Sequence, residues 1–554
     1  MKDTEKQYTD IWRKYEKCKE YVDKKGIVTK TERNWNFVIG KQWEGCKTGG
    51  QELPMLNFIK PIVQYKVANV TQNAMTAVYS DLKSDPDLQP IYDRLNEYWQ
   101  QCWEKSKMSQ TAWRAVKAAA IQGDSYVYWK DGDTLKEPTI LSNADIFLAD
   151  ENTDNIQEQE FVIIRERWPL KAVKEYAKKH GVSADTVKDI TTDTDTQERI
   201  YNKEEVEDKV TVLFYMEKEN GVVRVGRATK HIVIEKVAEI KGDKPDVEMK
   251  GLSVYPLIPY NWDPVPNSAR GVSEVEQLIP NQLELNKTLA RRSMAVNIGA
   301  YPRLAYDANA IQNPEDLNKV GVAIAVNGGN AQSINQMISY LNATNISSDA
   351  DKLSEDLLQI TKDLAGATDY ALGNVNPEQA SGTAIIAVRD SAQVPLTEQV
   401  ARFRQWVEDI SLLWLDLWIA YSNKGIEFMS TDEDGNEVPV KITQEELNQL
   451  KPTVRIDVSP DNQWTKLAEQ QTLDNMLMNQ HITLEEYVEC TPDNSSVPKA
   501  KLKAVIEKRK EIQQQQMTQQ QNTPTTDVDL QLVFEELLRQ GVPEEDAVAL
   551  IQTM

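Results

Sequence analysis

"YNWDPVPNSARGVSEVEQLIPNQLELNKTLA", Tyr260 to Ala290, is the stretch whose reading decides the fold. Its first half is extended. Pro264 and Pro266, after Pro256 and Pro259, fix the backbone and withhold donors, so this is a rigid connector. At Ser273 the pattern changes. Serine with Glu276 three residues on is a capping-box signal, and "NQLELNKTLARRSMAVN" continues a helix. Pro280 interrupts it, so a kink or a fresh start is expected there. The chain therefore switches from strands to helices at this point. Before it, residues 125–265 are strand-rich with Asn-Gly and Pro punctuation. Residues 1–130 read as mainly helical. "PIVQYKVANVTQNAMTAVY" and "TAWRAVKAAAIQGDSYVYW" both show helical periodicity, the second becoming a strand after Gly123-Asp124.

Beyond the helix comes a compact insert with a strand-like run, "VGVAIAV", and "NGGN". A second helix, "SDADKLSEDLLQITKDLAG", is capped by Ser348 with Asp351 and carries Leu353, Leu357, Ile360 and Leu364 at 4-3-4 spacing. A turn-rich segment, "TDYALGNVNPE", follows. Then "QASGTAIIAVRDSAQVP" leads into the longest helix, with Ser381 or Thr383 as cap, Gly382 for a sharp turn and Pro395 as a kink. From Leu396 the apolar positions are Val400, Phe403, Val407, Ile410, Trp414 and Leu417, an unbroken 4-3 alternation. Helical from Ala384 to Tyr421, it would run on the order of 57 Å at ~1.5 Å per residue. Such a stripe belongs to a core helix or to a strut between subunits. A hairpin region, a second helical region from Trp464 to Gln516, the polar linker "QQQQMTQQQNTPTT" and an amphipathic tail, with Pro543 opening a short second helix, complete the chain.

Length and composition narrow the class. A chain of 554 residues exceeds one hydrophobic core. Hydrophobic residues at 40% and charged ones at 27% fit a folded soluble protein. A net charge of −23 argues against general adhesion to nucleic acid. Cys18, Cys46, Cys102 and Cys490 are far apart, which speaks against a disulfide framework or a zinc site. The charged N-terminus has no signal-peptide apolar region, and the most apolar run, "ISLLWLDLWIAY", is short for a bilayer and contains Asp416; no membrane role is expected.

Chemistry is not apparent. His180, His231 and His481 lie in charged or polar surroundings and read as solvated surface residues. "GVVRVGRAT", Gly221 to Thr229, has phosphate-loop glycine spacing but Arg227 in place of lysine, and reads as the second half of an Asn-Gly hairpin. "STDEDGNEVP", Ser430 to Pro439, lacks the terminal glutamate of a calcium loop and reads as an Asp-Gly hairpin. Asp193 and Asp195 do not build a two-metal site. No catalytic residue, metal or cofactor is expected.

Several stretches together resemble the portal proteins of tailed bacteriophages. "NWNFVIGKQW", Asn34 to Trp43, resembles the family's aromatic-x-x-Gly-x-Gln-Trp segment. "LPMLNFIKPIVQYKVANV" is similar to the helix that follows, with Asn57 at its start. "AVKAAAIQGDSYVYW" resembles the helix-to-strand passage into the wing. The Tyr260–Ala290 stretch resembles the Pro-rich lead into the first stem helix, including Gln282 and Asn286. "NPEQASGTAIIAVRDSA" resembles the Ser-Gly segment between tunnel loop and long helix. The likeness covers roughly residues 30–425 and does not reach the terminal linker and tail.

The resemblance implies an α+β, portal-like fold: helical stem, mixed α/β wing, small α/β clip and helical crown, assembled as a homo-oligomeric ring of typically twelve subunits. Residues 1–270 would be the N-terminal helices and wing, 271–298 the first stem helix, 299–344 the clip, and 345–367 the second stem helix. Residues 368–383 would form the tunnel loop, 384–423 a long kinked wing helix and 424–461 a wing hairpin. The crown would be 462–516, with the linker and tail at 517–554. The implied function is a channel at one capsid vertex through which double-stranded DNA is packaged and ejected. Its partners would be the terminase large subunit, then neck or adaptor proteins, with major capsid and scaffolding proteins around it and DNA held non-specifically. The place is the virion, and the host cytoplasm during assembly. Asn374, Asn376, Glu378, Gln379 and Ser381 would face the DNA channel. Arg291, Arg292 and Lys362 would touch the DNA backbone or a neighbouring subunit. Twelve copies would carry about −276 charges, which repels DNA from the wall. A minor head or ejection protein is the alternative. A nuclease or packaging ATPase fits less well, since no Walker A or Walker B stretch is seen.

Overall fold

The computed structural model describes residues 8–44, 53–72, 74–81, 87–130, 132–193, 208–239, 251–300, 303–306, 309, 311, 313–318, 338–341, 348–366, 394–422, 425–431, 437–450, 452–459, 472–479, 481–490, 505–506, 528–544, 546 and 548. The chain divides into two units, Met1–Ser459 and Pro460–Met554.

The first unit opens with helices. α1 (Asp10–Lys25) is capped by Thr9, whose hydroxyl accepts the Trp12 N–H, and stops at Gly26, where φ is 63°. α2 (Ile27–Ile39), α3 (Ile59–Thr71), α4 (Gln89–Lys105) and α5 (Met108–Gln122) follow. The helical reading through Tyr79 is corrected here. α3 stops at Thr71, and β1 (Ala74–Asp81) is a strand paired antiparallel with β16 (Pro452–Ser459), Ala74 opposite Ser459. A local periodicity cannot reveal a partner so distant in sequence.

The strand-rich region forms two antiparallel sheets. β2 (Asp124–Tyr128) lies between β3 (Thr139–Ser142) and β9 (Leu257–Asn261). A meander of five contains β4 (Ile146–Leu148), β5 (Phe161–Pro169), β6 (Lys209–Glu219), β7 (Val222–Ala228) and β8 (Val233–Glu239) in that order. Asn220 and Gly221 both have positive φ, so "GVVRVGRAT" is half of a tight hairpin, as its Asn-Gly turn predicts. β6 shows why the sheet sits between two layers. Leu213 and Tyr215 pack with Ile11, Trp12 and Tyr15 of α1, while Phe214 and Met216 join the main core. α6 (Leu170–Lys179) and α7 (Ala184–Lys188) cover Val210 and Val212.

β10 (Asp263–Pro264) and β11 (Gly271–Val272) lead into α8 (Glu274–Ala300), which continues through Pro280 as one helix; no fresh start occurs. β12 (Arg303–Tyr306) pairs antiparallel with β13 (Ile338–Leu341), Arg303 opposite Leu341, so the insert between them leaves and returns through a two-stranded neck. "VGVAIAV" lies outside the described residues. α9 (Ser348–Leu364) has Ser348 as its first helical residue. α10 (Thr397–Tyr421) has 25 residues, about 37 Å at ~1.5 Å each, and Pro395 sits in a single 3-10 turn just before it, at no internal kink. The expected earlier portion, from Ala384 to Gln393, lies outside the described residues. β14 (Ile426–Thr431) and β15 (Glu437–Ile442) pair in register, and α11 (Gln444–Gln449), closed by a Thr443–Glu446 capping box, leads to β16.

The second unit contains α12 (Leu484–Cys490), whose Thr483 and Glu486 exchange capping hydrogen bonds, with the Tyr487 hydroxyl donating to Asp474. α13 (Val528–Arg539) ends at Gly541, φ 86°, where Val542 N–H returns to the Leu537 carbonyl. Its Val533 and Leu538 are exposed.

Candidate functional site

The segments that carry the family likeness are scattered in sequence but meet at the root of α8. Gln282 and Asn286, one turn apart on that helix, are buried. The Gln282 amide donates to the Leu56 carbonyl (2.7 Å) and to Asn286 Oδ1 (3.0 Å), and its Oε1 accepts the Phe58 N–H (3.1 Å). Asn286 donates to Gln42 Oε1 (2.5 Å), and Gln42 donates to the Phe37 carbonyl (2.9 Å). Asn57 donates to the Phe37 and Val38 carbonyls and caps α3 through the Lys60 N–H. Four side-chain amides, Gln42, Asn57, Gln282 and Asn286, thus link α8, the end of α2 and the start of α3. Buried amides stabilise when every atom is matched and cost about 1–3 kcal/mol when one is stranded, so the chain fixes one seating of α8.

A second cluster holds the helix at its first residue. Ser273 caps α8 by accepting the Val275 N–H and donates to the Ile121 carbonyl, while Asn34 donates to both. The predicted reciprocal role of Glu276 is replaced by an ion pair with Lys30 at 3.1 Å. Two glycines make the crossing possible. A Cβ on Gly123 would lie 2.5 Å from the Gly271 carbonyl oxygen, and one on Gly271 would lie 2.4 Å from that of Gly123. Beside them Arg270 is buried. Its guanidinium grips Glu151 through two nitrogens (both 2.9 Å), reaches Asp124 at 3.4 Å, and donates to the Asn143 and Ile146 carbonyls. Burial pushes the Asp124 carboxyl up, with Arg270 opposing. Burial opposes the Arg270 charge, but Tyr126, Glu151 and Asp124 together hold its guanidinium well above the ordinary value. Sequence reading missed Arg270 and Glu151. They stand far apart, and the only local signal is a single arginine in a Pro-rich connector whose one other charge is Asp263.

The residues expected to contact DNA or a neighbouring subunit lie on α8 and α9. Arg291 and Arg292 are exposed on the distal half of α8, with Arg291 3.8 Å from Glu284. Lys362 is half-buried on α9. α9 is covered along a mixed face: Ser354 is buried, Leu358 and, just past the helix, Ala365 join the main core, and Thr361 is 2% exposed and accepts from Asn281 of α8 (3.1 Å). The apolar stripe faces the other way, with Leu353 47% and Ile360 56% exposed; Met294 and Val296 of α8 are exposed too. Leu357 is half-buried, and the side chain of Leu364 lies outside the described set.

The other stripe has the opposite fate. Leu396, Phe403, Val407, Ile410, Trp414 and Leu417 are buried in the main core and Val400 packs against it, so α10 is a core helix of its own chain. Trp406, Leu413 and Trp418 are buried as well, making the covered face broader than the stripe predicts. Asp416, the charge in the apolar run, accepts the Ser253 and Val254 N–H groups (2.7 and 3.0 Å) and the Ser253 hydroxyl. Burial pushes its carboxyl up.

Asn374, Asn376, Glu378, Gln379 and Ser381 lie outside the described residues, as do Gly382 and Thr383. The ends of their segment are described. Gly366, with φ 68°, follows α9, and a Cβ there would be 3.7 Å from Cγ of Pro395, just before α10. The chain leaves and returns at one point. Of the histidines, His180 stacks on Tyr176 and His481 is exposed, but His231 departs from the solvated reading: it is half-buried beside Tyr8, and its Nδ1 has no described partner. Among the described residues no group of three His, Cys, Asp or Glu side chains could hold a metal ion, and no helix is long and apolar enough to cross a membrane.

Two helices joined through a two-stranded neck, a segment whose ends meet, and a long core helix are thus the elements that the stretches carrying the family likeness bring together. A family model described as "Phage P22-like portal protein" matches residues 13–541, and the chain belongs to that family. The family is structural rather than enzymatic. Among solved structures, the chain is similar to one from the "Virion of native gene transfer agent (GTA) particle", at 10% identity, covering 78% of this chain and 89% of that one, TM-score 0.34. It is also similar to one from the "Neck of empty GTA particle computed with C6 symmetry", at 10% identity, 77% and 88% coverage, TM-score 0.32. No curated protein matches.

Proposed function

We propose that copies of this chain, on the order of twelve, close into the ring-shaped channel at one capsid vertex through which double-stranded DNA is packaged and later ejected. The observation that carries this is the family match over residues 13–541, which includes every segment meeting at the root of α8. The outward apolar stripe of α9 supports assembly: a neighbouring copy would cover Leu353 and Ile360. The meeting ends of 367–393 support a loop that projects from the body, with Asn374, Asn376, Glu378, Gln379 and Ser381 facing DNA. The insert behind the β12–β13 neck would dock the terminase large subunit and then a neck or adaptor protein; major capsid and scaffolding proteins would surround the ring in the virion. Arg291, Arg292 and Lys362 would touch DNA or the next subunit. A net charge of −23 per chain favours transit, because a wall poor in unpaired cations does not hold phosphates. No catalytic step is assigned to the chain.

Deleting Asn374–Gln379 tests the channel reading. Since the segment's ends already meet, rings should form normally while packaging or retention of full-length DNA falls. A deletion variant that packages and retains DNA like the parent would remove the loop from the mechanism.

A further inference from the structure

We propose that the cleft between α10 and β9 receives a lysine from the next copy of the chain, and that the Lys60–Lys117 pair on α3 and α5 supplies it. This rests on the ring reading above and names the surfaces that join.

The cleft is about 290 Å³, walled by Asp154, Tyr260, Asn261, Trp406, Asp409 and Leu412. Its groups suit a cation with an aliphatic stem. Among the described residues Asp409 is engaged only by the Gln405 amide, at 3.1 Å, and Asn261 Oδ1 is buried with no donor. Trp406 is 2% exposed and its indole N–H has no acceptor, which a peptide carbonyl arriving with the side chain would provide. Arg402, the cation in the wall, pairs with Glu398 at 3.4 Å. Burial pushes the Asp409 carboxyl up; Glu408 next to it is raised by burial and by Asp409 itself. The lone chain thus keeps two neighbouring carboxylates at a cost.

The opposite situation holds on α3 and α5. Lys117 lies 4.9 Å over the exposed ring of Trp113, and no carboxylate is within ion-pair reach of it or of Lys60 among the described residues. Their neighbours are matched, Arg114 with Glu137 and Lys66 with Glu274. Burial and then Lys60 push the Lys117 ammonium down. The two lysines repel each other, and a carboxylate brought by another copy would relieve that repulsion. A ring closed by one repeated contact needs two different, complementary patches on each copy. These two are opposite in charge, and each is incomplete alone.

The test uses the full-length chain and sedimentation velocity. D409K and K117D should each weaken ring formation by about tenfold or more, and the double variant should recover most of the loss. D409N removes a poorly matched buried charge, so it should fold at least as well as the parent and still assemble less. Rings unaffected by either reversal, or losses that simply add in the double variant, overturn the proposal while leaving the ring reading intact. So does a K117D variant that assembles normally but loses affinity for a random DNA duplex, which would assign the lysines to DNA. A parent chain that never forms rings would defeat the ring reading itself.

Discussion

Asn286 shows how a single side chain can fix the seating of a long helix. It is an amide on a helix whose buried face mixes Leu278, Ile279 and Leu285 with Gln282 and Thr288, and it spends both of its functions on Gln282 and Gln42. Asn286→Ala would strand both neighbours and should cost about 1–3 kcal/mol in a urea unfolding experiment. A loss under about 0.5 kcal/mol would mean that water replaces the amide. Asp409 offers a pH-dependent check on the dissociated protomer. Its folded carboxyl is raised, mainly by burial, so the ionised form is the disfavoured one. The penalty is fully present above the raised value and disappears below the ordinary aspartate range. D409N should therefore raise Tm at pH 7–8, and the gain should vanish toward pH 3; a gain independent of pH would point to packing instead. The sequence made Gln42, Asn57, Gln282 and Asn286 legible because they stand inside recognisable stretches. Arg270 and Glu151 were not legible, because their pairing depends on a chain crossing at Gly123 and Gly271 that no local pattern encodes.

At the scale of elements, the two apolar stripes look alike in sequence and differ in environment. The α10 stripe is filled from its own chain, whereas the α9 stripe is left outward. V407D or W414D would place a charge among fully buried neighbours and should cost more than about 4 kcal/mol, leaving little soluble, protease-resistant protein. L353D or I360D should leave protomer stability within about 0.5 kcal/mol but impair ring formation. Equal effects at the two sites would contradict the contrast. Periodicity located both helices and their spacing. It could not say which stripe is covered by the same chain, since that depends on elements arriving from elsewhere: α9 meets α8 at Thr361 and buries Ser354 too, polar residues that a sequence reading assigns to solvent. β1 was misread for a similar reason, its ladder to β16 being set by residues near the end of the first unit.

For the molecule as a whole, fold class and family were readable because the order of segments is distinctive: strand-rich region, Pro-rich connector, helix, insert, helix, returning segment, long helix. Contacts between copies were not readable, because they depend on surfaces such as the outward Leu353 and Ile360 of α9, which no described part of one chain covers. The central claim is that these copies enclose a channel, and negative-stain microscopy of the purified full-length chain tests it most directly. The account predicts discrete rings with a central opening and close to twelvefold symmetry, matched in solution by a mass near twelve protomers. Monomers at every protein concentration and salt condition, or compact oligomers with no central opening, would contradict it.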